Sequence, residues 1–549
     1  MKRVILCVSA TLISGVIAYS QALVKASGTG STGDDVGIDI TVDTAGNQYI
    51  TGYFSGTVDF DPGPETFNLT SQGEIDVFVM KLNTDGNLVW AKQMGGSTSD
   101  NGRRIVTDGS GNVYLTGSFS GTADFDPGPG TFNLYSAGSW DIFICKLDAD
   151  GNLLWVKGFG SNTQEDHGNA IAIDTAGNVY TTGSFKGTID FDPGSGTANL
   201  TADYIDVFVC KLDTSGNYVW ADKMGGIATD IGYAITVDAT NNVYITGHFR
   251  WTNCDYDPGP GVVYLSTYGD SEEFIVKLNA DGNLIWAKQL NTGAYNYSYG
   301  YGIAVDNSGN VYTTGGFKGT TDFDPGAGTF NMTAGGLTDG FVCKLNSSGD
   351  FVWAKILGGC QIDDNANYIT LDAAGNVYTT GTFQYIADFD PGAGVYELHA
   401  AGSTDVFISK LTSSGSFVWA RKLGGTNPDN SYSIAVDAAV NIYSTGVFQG
   451  IADLDPGTAT YYVTSAGLND IYLVKLTQTV WNGSISNAWN NPANWNSGLV
   501  PANTSNVIIP SGLSRYPIVT GSTEVKSLLV QSGASVTINP DIQLKVTGK

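Results

Sequence analysis

Seven short stretches hold the residues of this chain best placed to do chemistry. The motif D-x-D-P-G recurs with seven carboxylate pairs: Asp59 and Asp61, Asp124 and Asp126, Asp190 and Asp192, Asp255 and Asp257, Asp322 and Asp324, Asp388 and Asp390, Asp453 and Asp455. Two residues apart on an extended segment, the members of a pair point to the same side. Repeated carboxylates of this kind suit Ca²⁺, a hard cation that takes about six to eight oxygens, and calcium is the one cofactor the chain suggests. A structural reading of the same residues is the stronger one. Asp before Pro-Gly starts a turn, because its side chain accepts the backbone N–H two residues on. Pro62 and Gly63 suit the centre of a type II turn, and Phe60 and Phe67 would pin the hairpin TVDFDPGPETFNL to its sheet. Two carboxylates also leave most of a calcium shell to carbonyls and water.

Other catalytic constellations are absent from the sequence. His167, His248 and His399 fall in different repeats at unmatched positions, and there is no G-x-S-x-G, H-E-x-x-H or P-loop pattern. An Asp box S-x-D-x-G-x-T-W is out of frame, since Asp85 and Gly86 are adjacent. No C-x-x-C spacing occurs, and Cys145, Cys210 and Cys343 occupy one strand position that Met80, Val276, Ser409 or Val474 fills elsewhere. They read as packing residues. Six Trp at one repeated position read as blade packing as well. The irregular Trp140 and Trp251, near the longest links, are the aromatic candidates for contact with a partner.

The elements that must hold these residues come from a repeat. D-x-D-P-G returns at intervals of 65, 66, 65, 67, 66 and 65 residues, and Trp90, Trp155, Trp220, Trp286, Trp353 and Trp419 keep the same period. Within the first copy, Asp39–Asp43, Asn47–Phe54, Asp76–Leu82 and Leu88–Gln93 are rich in Val, Ile, Thr, Tyr and Phe, as strands are. Short Gly-containing turns join the first to the second and the third to the fourth. No stretch has helical periodicity. The expected fold is all-β: a seven-bladed β-propeller of four-stranded antiparallel blades, followed by a small β-rich domain of β-helix or β-sandwich type. The last copy lacks its Trp strand. LVKA at 23–26 lies in the register of LVWA with Lys25 in place of Trp, so residues 23–27 are expected to close the last blade.

The repeat unit A-I-A-V-D-x-x-G-N-V-Y-x-T-G, then F-x-G-T-x-D-F-D-P-G, D-x-F-V-x-K-L and D-G-N-x-V-W-A-K, resembles the bacterial β-propeller repeat (SBBP) family across residues 23 to about 478. That resemblance implies a propeller in an exported, multidomain surface protein, and no particular chemistry.

Three segments are expected: a signal peptide over 1–22, the propeller over 23–478, and a C-terminal β-rich domain over 479–549. Lys2-Arg3 followed by an apolar run and Ser20-Gln21-Ala22 is the pattern of an export signal. The C-terminal domain opens with Trp481, Trp489 and Trp495, and the chain ends directly after an apolar strand, which suggests a truncated domain. With 26 basic against 53 acidic residues the net charge is −27, which argues against nucleic acid or anionic lipid as partner. No later run is long enough to span a bilayer. The expected function is a non-catalytic, monomeric, secreted or cell-surface bacterial scaffold for binding or adhesion to a protein or glycan. The alternative is a propeller enzyme acting on glycans or a quinone-dependent oxidoreductase.

Overall fold

The computed structural model describes residues 22–477 apart from 163, 268, 360, 361 and 458. Within 479–546 it describes all but 481, 482, 484, 492, 493, 496–499, 502–505, 510–512, 526, 531–533 and 541. The expected signal segment up to residue 21, Cys360 and Trp481 therefore lie outside the described residues.

Each repeat folds into an antiparallel sheet whose strands follow one another outward. In the first, Val36–Val42 is innermost, then Gln48–Phe54, Asp76–Leu82 and the outer Leu88–Gly96. The two middle strands are nearly continuous runs of buried residues, because neighbouring sheets cover both their faces. The inner strands Val36–Val42, Asp100–Thr107, His167–Ile173, Ile231–Val237, Ser298–Val305, Asn365–Leu371 and Asn430–Val436 succeed one another around an axis, and the last packs against the first. The β-propeller fold is thereby established.

The expected fold class, a seven-bladed propeller of four-stranded antiparallel blades, needs correction, because three of its sheets are not separate four-stranded units but take in two further strands. The long link of each repeat contains a hairpin, such as Thr122–Asp124 with Asn133–Tyr135. That hairpin pairs with the outer strand of the preceding sheet through Ala123↔Gly96 and Asp124↔Gly95, making one sheet of six strands. The same happens at Ile386–Asp388 and Ile451–Asp453. The outer strand continues past Gln93 to Gly96, and the glycines let another backbone approach.

A second correction concerns the hairpin's anchors. Phe60 is fully buried and meets Phe54 edge-on at 5.2 Å and Phe78 at 5.0 Å. Phe67 is exposed; its backbone, not its ring, holds the hairpin, exchanging hydrogen bonds with Phe60 and Asp59.

Strand Ala22–Thr29 pairs antiparallel with Asp470–Thr477, with Lys25 opposite Lys475 just as Trp90 lies opposite Lys81. Beyond the propeller the strands run parallel: Asn506–Ile509 with Thr479–Val480 and Ser527–Val530, Ile518–Val519 with Thr537–Ile538, and Thr523–Val525 with Leu544–Val546. Parallel pairing of successive segments 19 to 28 residues apart is the pattern of β-helix coils, not of an antiparallel sandwich. Trp489 and Trp495 pack edge-on at 4.7 Å in its core.

Candidate ligand site in the central channel

The repeated Asp pairs do not face the channel. In the first repeat, Asp59 Oδ1 accepts the N–H groups of Asp61 (3.1 Å) and Phe67 (2.8 Å), and Asp61 Oδ1 accepts that of Gly63 (2.7 Å). Asp124, Asp190, Asp255, Asp322, Asp388 and Asp453 each make the same two bonds as Asp59. The second members keep to their own turns as well. Asp126, Asp192, Asp257, Asp324 and Asp390 accept the N–H groups of Gly128, Gly194, Gly259, Gly326 and Gly392 at 2.8–2.9 Å. Asp455 accepts that of Gly457 at 2.7 Å.

These carboxylates, which the sequence offers as calcium ligands, each also have a structural task in their own hairpin. One oxygen of every carboxylate closes its own turn, and each pair sits alone on its own hairpin. In five copies the other oxygen lies against a glycine of the same hairpin. The Oδ2 atoms of Asp126, Asp192, Asp257, Asp324 and Asp390 lie over Gly130, Gly196, Gly261, Gly328 and Gly394, closer than any Cβ could come. Among the described residues no group of three or more His, Cys, Asp or Glu side chains converges as a metal centre.

The packing residues also find definite partners. Each indole N–H of Trp90, Trp155, Trp220, Trp286 and Trp353 donates to a carbonyl of the next blade, at 3.1–3.3 Å. Cys145, Cys210, Cys254 and Cys343 are buried free thiols. Trp140 is half-buried, 6.4 Å from the His167 ring. Trp251 is 64% exposed with φ +76°. It stands where Gly56, Gly121, Gly187, Gly319 and Gly450 adopt the same left-handed backbone in other repeats.

The side chains that do converge were not singled out by motif. Every inner strand has a β-bulge at one place: the pairing slips between Gly37 and Asp39, Gly102 and Arg104, Gly168 and Ala170, Gly232 and Ala234, Gly300 and Gly302, Ala366 and Tyr368, and Ser431 and Ser433. A bulge re-aims its extra residue. Here the extra residues are Ile38, Arg103, Asn169, Tyr233, Tyr301, Asn367 and Tyr432, which with Arg104 line one cavity of about 220 Å³ at the centre of the ring. In a body that otherwise repeats itself, this ring is chemically uneven. The signal was present in the sequence as one variable position early in each otherwise similar inner strand, but only the bulge shows that it points to a shared space.

Electrostatics concentrate at one side of the ring. Arg104 lies 3.8 Å from the buried Asp39 carboxylate and stacks on Tyr368 at 4.7 Å. Arg103 Nε is buried with no hydrogen-bond partner among the described residues. Burial first, then the charge of Arg104, holds its pKa below the usual guanidinium value. His167 hydrogen-bonds Ser118 at 3.1 Å; burial, helped by Arg103, pushes it down to about 4, so it is neutral at pH 7. Burial pushes His248 down to about 3, and it sits among Tyr233 and Tyr299. His399 lies apart, exposed beside Glu397.

The chain carries β-propeller repeats of the SBBP family: the sequence pattern of that beta-propeller repeat matches residues 89–122, 154–184 and 285–315. Residues 480–549 match a domain of unknown function, DUF8693. The chain is 24% identical over 441 residues to the uncharacterized WD repeat-containing protein L264 of Acanthamoeba polyphaga mimivirus, covering 67% of this chain and 32% of that one. It is 22% identical over 425 residues to the regulatory protein FlaEY of Caulobacter vibrioides, covering 74% and 42%. It thus spans less than half the length of either relative. Among solved structures it is similar to the polysaccharide lyase Uly1, with 10% identity, a TM-score of 0.37, and 80% of this chain and 90% of that one covered. No helix among the described residues is long and apolar enough to cross a membrane.

Proposed function

We propose that the protein is an exported bacterial propeller that binds a protein or glycan at the cell surface without transforming it, and that the channel ring is where the partner docks. The observation that carries this is the uneven bulge ring in an otherwise repetitive body. Repetition serves stability; a place where the repeats diverge toward a common space is where specificity would be stored. The chemistry there favours recognition. Tyr233, Tyr301 and Tyr432 offer flat amphipathic faces, and Asn169 and Asn367 offer amide groups. Two histidines toward the ring, His167 and His248, are held below the neutral range by burial, so they do not supply a proton near neutrality there.

The test is a glycan and surface-protein array probed with the whole chain, beside turnover assays on glycan, peptide and alcohol panels with metal and quinone supplied. A specific binder whose signal drops at least tenfold with Tyr301→Ala, without product formation, supports the reading. Reproducible turnover would replace it with the enzyme reading. Cell fractionation tests the export part separately.

A further inference from the structure

We propose that the channel binds an acidic sugar, with Arg103 as the residue that receives its carboxylate. This rests on the channel being the docking place, and it names the ligand class. Arg103 is a permanently charged group on a bulge, inside a cavity of about 220 Å³. The charged and titratable groups that interact with it electrostatically are Arg104, Tyr53, Tyr233 and His167, with no carboxylate among them in the described residues. The nearby Asp39 is already engaged, accepting from Ser433 Oγ at 2.6 Å and from the Ile105 N–H at 2.8 Å, and lying against Arg104. Arg103 is half-buried, its Nε fully so, and a charge withdrawn from water without a counter-charge is costly. In a chain with twice as many acidic as basic residues, a carboxylate for Arg103 would be easy to supply from the protein, and none is supplied.

The rest of the ring specifies what carries the anion. Asn169 and Asn367 donate their amide N–H groups to the carbonyls of Gly232 (3.0 Å) and Ser431 (2.9 Å), which leaves the amide oxygens as acceptors for hydroxyls. Tyr301 lies 5.6 Å from Tyr233, the two rings meeting edge to face. Aromatic faces, fixed acceptors and one fork-shaped donor together match a ring bearing hydroxyls and a carboxylate. A small free carboxylate would use the arginine alone, and the cavity suits one sugar residue rather than a drug-sized ligand.

Calorimetric titration of the whole chain with three probes tests this: a hexuronic acid trimer, the same trimer reduced to neutral hexoses, and acetate. The expected result is saturable binding of the uronate trimer, at least tenfold weaker binding of the neutral trimer, and none of acetate in the millimolar range. Arg103→Gln should lower uronate affinity roughly ten- to hundredfold, to the level of the neutral trimer, while Arg103→Lys keeps part of it. Thermal melting of both variants verifies folding, and neither should melt lower, since Arg103 Nε has no hydrogen-bond partner to lose among the described residues. Equal binding of the charged and neutral trimers, or an unaffected Arg103→Gln, overturns the anion assignment while leaving the docking place intact, provided Tyr301→Ala still abolishes binding. Acetate binding as tight as the uronate trimer overturns the sugar. If no trimer binds and the arrays show a partner insensitive to Tyr301→Ala, the docking place itself falls.

Discussion

Lys25 reaches across the closure of the ring and donates its ammonium to the Gly86 carbonyl at 2.7 Å, spanning 61 positions of sequence. It does at this junction what the indole of Trp90 does at the next, where Nε1 donates to the Ala149 carbonyl. Lys475 adds a parallel bond to the Thr84 carbonyl at 2.7 Å, as Lys81 does to Ala149. The strand formed by the first described residues thus both completes a sheet and latches it to the first blade. Deleting residues 22–29 should expose the edge of Asp470–Thr477 and broaden and lower the melting transition. Lys25→Ala alone removes a charge-assisted hydrogen bond and should cost about 1–3 kcal/mol by denaturant titration. An unchanged transition after deletion would mean that the ring is held elsewhere.

Much of this was readable from the residues. The short Gly-containing turns, the strand limits Asp76–Leu82 and the Lys25 register follow from local chemistry that each repeat states again. The hairpin's pairing with the neighbouring sheet was not readable, because it is made by backbone of residues far apart in sequence. The channel ring was hidden for another reason: a motif search rewards what repeats, and Arg103, Tyr233 and Tyr301 matter because they do not.

A set of buried acids recurs around the ring as well. Asp76 and Asp100 are both fully buried, and a Cβ added to Gly95 would lie 2.7 Å from Asp76 Cγ and 2.8 Å from Asp100 Oδ2. Asp76 Oδ1 has no hydrogen-bond partner among the described residues. Comparable pairs are Asp206 with Asp230, Asp339 with Asp364, and Asp405 with Asp429. Burial raises Asp100, Asp230, Asp364 and Asp429 to about 7, and Asp141, Asp339 and Asp470 to about 6. A folded pKa above the unfolded value means that the native state holds protons the unfolded chain has lost. Their contribution is fully present below about pH 4 and disappears as pH rises through 6 to 7. The turn carboxylates Asp43, Asp108, Asp174 and Asp306 are lowered, chiefly by hydrogen bonds from Asn side chains and backbone that outweigh their burial. Their contribution is present above about pH 4 and lost in acid. Melting temperature should therefore peak near pH 4–5 and fall toward pH 8. A plateau from pH 5 to 8 would contradict this.

Gly95 gives the structural counterpart. Gly95→Ala should destabilise by more than about 2 kcal/mol, because the added methyl collides with two buried carboxylates rather than with a flexible side chain end. The junction built from Glu272, Asn291 and Ser298 tolerates a side chain at the matching place, since Glu272 is answered there by Thr292 and Gln289. Asn291→Ala should cost far less in the same denaturant series.

For the D-x-D-P-G carboxylates, turn role and calcium role separate by substitution. Asp59→Asn keeps an oxygen for the Asp61 and Phe67 N–H groups, so a turn role predicts a loss under about 1 kcal/mol. Asp59→Ala, which strands both donors, should cost about 1–3 kcal/mol. Calorimetry with calcium decides the other half. If these loops hold Ca²⁺, binding should be weak, repeated around the ring, and reduced by Asp59→Asn as strongly as by Asp59→Ala. A flat titration leaves the turn role alone.

Trp251 sets stability against recognition at one residue. Its left-handed backbone, φ +76°, is what glycine supplies at Gly56 and Gly121, and a bulky residue there carries strain of about 1–2 kcal/mol. It buries little in return, being 64% exposed. Trp251→Gly should therefore stabilise the protein, by up to about 1 kcal/mol after glycine's own entropy is counted. An exposed indole on the longest link is a surface that a partner can use, so the same variant should weaken partner binding while raising the melting temperature. Stabilisation with undiminished binding would remove Trp251 from the contact surface, and destabilisation would show that its ring packs better than its exposure implies.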